Sequence, residues 1–223
     1  MTSSHLGALN GFCWVDVKTH DVPGAAVFFS AVPGRRFAVG ESDGRRATKI
    51  SADGHQIGGV SDLGSPLRPP GTPARIAHYL TVDDVQARTE AATAAGPTRA
   101  RALRREGQGR IATLIHPVGA AFSLWQTHPS RRWAASAHTP QRMVLARPHP
   151  EQACRFHRNV LGTVPGCADF VPVDGLEECT LRWELLVAVD DPDTVAAHAR
   201  APGEGMPSDP ITPATRVRPA RRG

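Results

Sequence analysis

The chain has 223 residues, 40% hydrophobic and 21% charged, which supports a folded core, although 20 prolines and 21 glycines shift part of it toward loops. A formal charge of +5 favours anionic partners, but basic residues also gather in the terminal RVRPARRG, aromatic residues are only 5%, and no helix-turn-helix, zinc-finger or RNP-like pattern appears, which argues against nucleic-acid recognition. No stretch approaches the roughly 20 apolar residues of a membrane span, and Cys13, Cys154, Cys167 and Cys179 lack CxxC spacing, so a soluble, cytoplasmic protein with reduced thiols is expected.

The first element is FCWVDVKTHD (12–21), whose alternation puts Trp14, Asp16 and Lys18 on one face and Val15, Val17 and Thr19 on the other, as in a half-buried strand. DVPGAAVFFSAVPG follows with Asp21 as N-cap, Val22, Ala26 and Phe29 at helical spacing, and Gly34 at the stop. Residues 35–60 carry turn signals at SDGRR and ADGHQIGG and read as a meander of two or three weak strands. The Pro-, Gly- and Ser-rich stretch 61–73 is a connection.

The theme then returns. ARIAHYLTVDDVQARTEAATAAG gives a strand, an N-cap at Asp83 or Asp84, and a helix closed by Gly96. GRIATLIHPVGAAFSLWQ (109–126) gives two strands joined by a tight turn, the second carrying Ser123 and Trp125 on one face. Residues 127–141 read as a linker. RMVLARPHPEQACRFHRNVLG starts a third copy with Pro150 in the first helical turn, and LRWELLVAVDDPDTVAAHARAPG a fourth with Pro192 in that place.

The offset between capping positions is 62 residues from Asp21 to Asp83 (83 − 21) but 41 from His149 to Asp190 (190 − 149), so about 21 residues of strand and loop are missing from the second region. No counterpart of IATLIHPVGAAFSLWQ follows Asp190, so the closing strand pair is missing too. The expected organisation is a complete module over 11–126, a linker over 127–141, a partial module over 142–203, and a disordered basic tail over 204–223.

The segments CWVDVKTHDVPGAAVFF, HYLTVDD with its Ala-rich helix, and GQGRIATLIHPVGAAFSLWQ resemble the vicinal-oxygen-chelate superfamily, home of glyoxalase I, bleomycin-resistance proteins and extradiol dioxygenases. The resemblance implies an α+β fold of tandem βαβββ modules (the glyoxalase/bleomycin-resistance/dioxygenase fold) whose sheets curl around a cavity, the second module here being shortened. In metal-dependent members the cavity holds a divalent ion on His and Glu side chains. Aligned on THD, TVDD and PVGAAFSLW, this chain has Trp14, Ala77 and Ser123 at those positions, so no metal is expected. The implied ligand-binding lining is Trp14, Asp16, Ala77, Tyr79, Ser123 and Trp125, suited to a flat or apolar small molecule.

Each of these residues also has a structural reading. Trp14 and Trp125 serve equally well as sheet core, Asp83, Asp84, Asp190 and Asp191 as helix caps, and His78 as a packed histidine on the helix-facing side. His116, His128, His138, His149 and His157 match no common ligand spacing. Asp16 is the best single candidate for acid/base work. Three functions follow: a metal-independent binding protein for a small molecule; a lyase, isomerase or dioxygenase, with a divalent metal as the alternative cofactor; or a vestigial protein whose shortened module drives homodimerisation.

Overall fold

Alternation in the first strand and apolar spacing in the helix after it set up a unit with one face to bury, and a computed structural model shows how it is buried. It describes residues 9–31, 36–42, 45–52, 55–66, 71–96, 99–105, 109–117, 119–126, 142–173, 183–186 and 191–200. The expected linker at 127–141 and tail at 204–223 lie outside the described residues.

The first unit runs β1 (Phe12–Thr19), α1 (Val22–Ala31), β2 (Arg36–Ser42), β3 (Arg45–Ala52) and β4 (His55–Asp62). The second runs β5 (Arg75–Thr81), α2 (Val85–Ala94), β6 (Arg99–Arg105), β7 (Gly109–Ile115) and β8 (Ala121–Gln126). Together they form one eight-stranded sheet in the order β2-β3-β4-β1-β5-β8-β7-β6. In each unit the first strand runs parallel to the last, β1 with β4 and β5 with β8, which requires the long crossover that the helix and two strands supply. The halves join where β1 pairs antiparallel with β5. This is the tandem βαβββ plan, α+β in class, that the resemblance implies.

The caps follow the sequence closely. Gly24 N donates to Asp21 Oδ1 at 2.8 Å, and Asp84 Oδ1 accepts from Gln86 N and Ala87 N. Asp83 is not the cap. Its carboxylate takes both forks of Arg88 at 3.0 Å, and that hydrogen-bonded pairing holds its pKa below the usual carboxylate range. The weak meander resolves into three strands, and β6, with the sequence RARALRR, is a strand that sequence patterning did not reveal.

The second region is β9 (Arg142–Arg147), α3 (Pro150–Leu161), β10 (Ala168–Pro172), β11 (Glu184–Leu186) and α4 (Pro192–Arg200). Its three strands lie in the order β10-β9-β11, with β10 parallel and β11 antiparallel to β9. This repeats the β4-β1-β5 centre of the large sheet. After α3 the chain turns at Gly162, in the left-handed conformation (φ 78°), and reaches β10 within a few residues, so the missing 21 residues correspond to the β2–β3 hairpin.

One hydrophobic core spans both regions, including Val15, Leu80, Phe122 and Leu124 from the large sheet and Met143, Leu145, Phe156 and Trp183 from the short module. Two side chains of the first module also complete the end of α3: Asn10 Nδ2 donates to Leu161 O at 3.2 Å and Arg88 Nη1 donates to Val160 O at 3.3 Å. They satisfy carbonyls a helix end leaves open, and the Arg88 cation complements the negative end of the helix dipole.

The seam between modules carries three buried histidines. His116 stacks on His157 at 5.6 Å, His157 meets Trp183 at 5.4 Å, and His78 lies 6.5 Å from the same indole and 5.6 Å from Phe12. His78 is thus the packed, helix-facing histidine expected. Among the described residues, neither ring nitrogen of His78 or His157 has a hydrogen-bond partner. Burial pushes both rings down to about 3, with His116 adding to the effect on His157, and it pushes His116 to about 4.

A histidine held neutral in the fold and free to protonate when unfolded contributes stability that is complete above its unfolded pKa near 6.5 and declines as pH falls toward its folded value. The melting temperature should therefore hold from pH 8 to 7 and drop between pH 6 and 4, with a loss on the order of 2 kcal/mol per ring at pH 5. His157→Leu should flatten that decline in thermal melts across the same range; an unchanged slope would remove His157 from the account.

Candidate functional site

Direct neighbours across a ladder share a face, so the register places the site. Trp14 pairs with Tyr79, Asp16 with Ala77, and Tyr79 with Ser123, which puts five of the six expected lining residues on the face of β1, β5 and β8 away from the helices. Trp125, two residues beyond Ser123 on β8, completes the set. Its ring lies edge-on to Trp14 at 5.8 Å and to Tyr79 at 6.1 Å.

A β-bulge between Phe12 and Trp14 shapes the upper part of this face. It turns Cys13 into the second small core with Ile111 and Trp125, where its thiol donates to Tyr79 O at 3.3 Å. Burial pushes the Cys13 thiol up to about 12, which leaves it without thiolate character at neutral pH. Ser123 Oγ and Thr113 Oγ1, from paired positions on β8 and β7, share a hydrogen bond at 2.9 Å.

Below the aromatic group lies a polar one. Lys18 Nζ donates to Asp16 Oδ2 at 2.6 Å, and Ser61 Oγ lies 2.8 and 3.0 Å from the two carboxylate oxygens. Lys18 and Asp16 are each only 12% exposed at the side chain. Engaged by a cation and a hydroxyl, the Asp16 carboxylate anchors Lys18. Lys18 lies on the face with Trp14 and Asp16 that alternation predicts, whereas Ser61 went unnoticed in the sequence because the pairing of β1 with β4 brings it beside Lys18 across 43 residues (61 − 18).

The floor beside Trp14 depends on two adjacent glycines of β4. A Cβ on Gly58 would stand 2.4 Å from Val15 O and 2.5 Å from Val15 Cγ1, whereas one on Gly59 would stand 3.4 Å from the Trp14 indole. Gly58 lets the strands approach on the helix side; Gly59 makes room for Trp14 on the other.

Trp14, Ala77 and Ser123, which stand where the resemblance implies metal ligands, offer an indole, a methyl and a hydroxyl. This donor set does not fit a divalent ion that needs imidazole or carboxylate. Among the described residues no group of three or more His, Cys, Asp or Glu is placed to hold a metal. The face offers aromatic area, a hydroxyl pair and one ion pair. Ser123 and Trp125 are 2% and 4% exposed, so Trp14 and Tyr79, each partly exposed, are its accessible aromatic groups.

No family model matches the chain. It is 25% identical over 228 residues to CFP32 of Mycobacterium tuberculosis (strain CDC 1551 / Oshkosh), which bears the name of a candidate glyoxylase, covering 88% of this chain and 84% of that protein. It is 27% identical over 230 residues to the anthracycline biosynthesis protein DnrV of Streptomyces peucetius, covering 88% and 83%. Among solved structures, the Mn(II)-bound glyoxalase of Novosphingobium aromaticivorans matches with a TM-score of 0.48 at 21% identity, over 69% of this chain and 53% of that one. The chain thus spans about half the length of that structure.

The unequal burial of the two tryptophans separates their roles. Trp125→Ala should cost about 3–5 kcal/mol as a core truncation, and Trp14→Ala distinctly less, read from urea midpoints at unchanged slope. Equal losses would mean that Trp14 is core as much as Trp125 is.

Proposed function

We propose that this chain, which is similar to vicinal-oxygen-chelate proteins, is a metal-independent binding protein that takes a flat aromatic or apolar small molecule on the helix-free face of its eight-stranded sheet. The observation that carries this reading is that Trp14, Ala77 and Ser123, which the resemblance aligns with the metal-ligand positions, occupy one face together, with Trp125 packed against both Trp14 and Tyr79. An aromatic group of this kind presents ring faces and edges for stacking, and the Ser123–Thr113 and Asp16–Lys18 groups supply polar contacts at fixed points. The relatives' names, a glyoxylase and an anthracycline biosynthesis protein, fit a face that handles small organic molecules. Free thiols at Cys13, Cys154 and Cys167 suit the reducing, cytoplasmic setting that belongs to this reading.

Binding in the site predicts quenching of tryptophan fluorescence by flat aromatic compounds, weakened at least tenfold in Trp14→Ala. Elemental analysis of protein purified without chelator should find no stoichiometric divalent metal, and manganese, iron or zinc added back should leave the melting temperature unchanged. A bound metal at one per chain would overturn metal independence; absence of quenching by any flat aromatic compound would overturn the ligand reading.

Self-pairing through the short module has its own observation. Val171 on β10 and Leu186 on β11 are 38% and 48% exposed, apolar side chains on the outer strands of a three-stranded sheet. Sedimentation should show a mass that rises with concentration, and Val171→Lys with Leu186→Lys should return it to one chain. A constant mass of one chain at all concentrations would exclude the dimer.

A further inference from the structure

The polar group of the site carries more information than its aromatic group does. Lys18 lies two residues beyond Asp16 on β1, and its ammonium stands 2.6 Å from Asp16 Oδ2. Strand alternation places Trp14, Asp16 and Lys18 on one face of β1, so the cation stands on the same face as the aromatic group. An ammonium has three donors, and Asp16 is its only hydrogen-bond partner among the described residues. With the side chain 12% exposed, the remaining donors sit in a largely desolvated place.

The surrounding charge is not balanced. Asp16 is the single carboxylate bonded to Lys18, and it also receives the Ser61 hydroxyl. Lys49, partly buried on β3, is the direct ladder partner of Gly59, and Gly59 in turn is that of Asp16, so a second cation stands on the same face. Arg75 pairs with Lys18 across β1 and β5. Among the described residues, one acid, Asp16, stands with three bases, Lys18, Lys49 and Arg75, which makes this end of the site positive. A buried cation with unfilled donors is costly unless an acceptor completes it.

We propose that the ligand is an aromatic anion: a planar ring system that stacks at Trp14 and Tyr79 and carries an acidic oxygen, carboxylate or phenolate, which accepts from Lys18 Nζ. Asp16 and Ser61 hold Lys18 in place and do not touch the ring. This rests on the binding reading above and adds the charge of the ligand to it. Neutral aromatic molecules of the same shape bind the aromatic group but leave the lysine incomplete, and selectivity follows from that difference.

The test compares 2-naphthoate with its neutral isostere 2-naphthamide at pH 7.5 and fixed ionic strength, by calorimetry on the full chain. The naphthoate should bind about ten- to a hundredfold tighter, the range expected for a charge-assisted hydrogen bond in a partly desolvated site. Lys18→Met should erase the preference, and Lys18→Arg, which keeps the charge, should retain most of it. Because Lys18→Met leaves Asp16 without its cation, each variant is checked for an unchanged melting temperature, and the wild-type comparison stands without any variant. Equal affinity for the two compounds, with quenching intact, would overturn the role of Lys18 and leave the binding reading standing. Failure of both compounds to bind at millimolar concentration would overturn the two together.

Discussion

The antiparallel ladder between β1 and β5 is the contact from which the other elements take their places. Its register decides which residues of each strand face the helices and which face away, and a shift of one residue would exchange the two sets. With Val15 opposite His78 and Trp14 opposite Tyr79, one side of the ladder becomes the core and the other the site. Each strand then recruits a parallel neighbour from its own repeat, β4 for β1 and β8 for β5, and the remaining strands follow outward. The aromatic group exists because the ladder and its neighbour bring residues 14, 79 and 125 together.

The described strands of the short module repeat the same central arrangement. β10-β9-β11 keeps the parallel and antiparallel pairings of β4-β1-β5. So small a sheet buries little on its own, and its hydrophobic residues are completed by the large sheet and by Trp183, which meets His157, His78 and Phe170. The one face that the module shares with its partner is also where the buried histidines sit, so the module's docking and the protein's response to acid are located in the same contacts.

The parts of this arrangement legible in the sequence were those with local causes. Asp21 and Asp84 announced their helices because a cap needs a side-chain acceptor at one position, and the 62- and 41-residue offsets located the deletion. The alternation of β1 and β8 put Trp14, Asp16, Ser123 and Trp125 on one face. β6 was hidden because RARALRR has no β-branched residue and its alternation breaks at Leu103, and it is a strand through its pairing with β7. Ser61 as a partner of Asp16 was hidden for a related reason: it lies on a parallel neighbour, and parallel pairing leaves no local trace. His157 did carry a signal, since it falls within the apolar stripe of Ala153, Phe156 and Val160, but a metal-spacing search passes over a histidine whose role is packing.

The end of α3 has a consequence for the order in which the chain acquires structure. Its last carbonyls are met by Asn10 and Arg88, 151 and 72 residues earlier in the chain. By the time α3 leaves the ribosome, both donors have already been synthesised and the large sheet has had time to form. The first module therefore acts as a template on which the helix of the second is finished. Among the described residues, the second module holds the equivalent of the β4-β1-β5 centre, the part that docks on such a template.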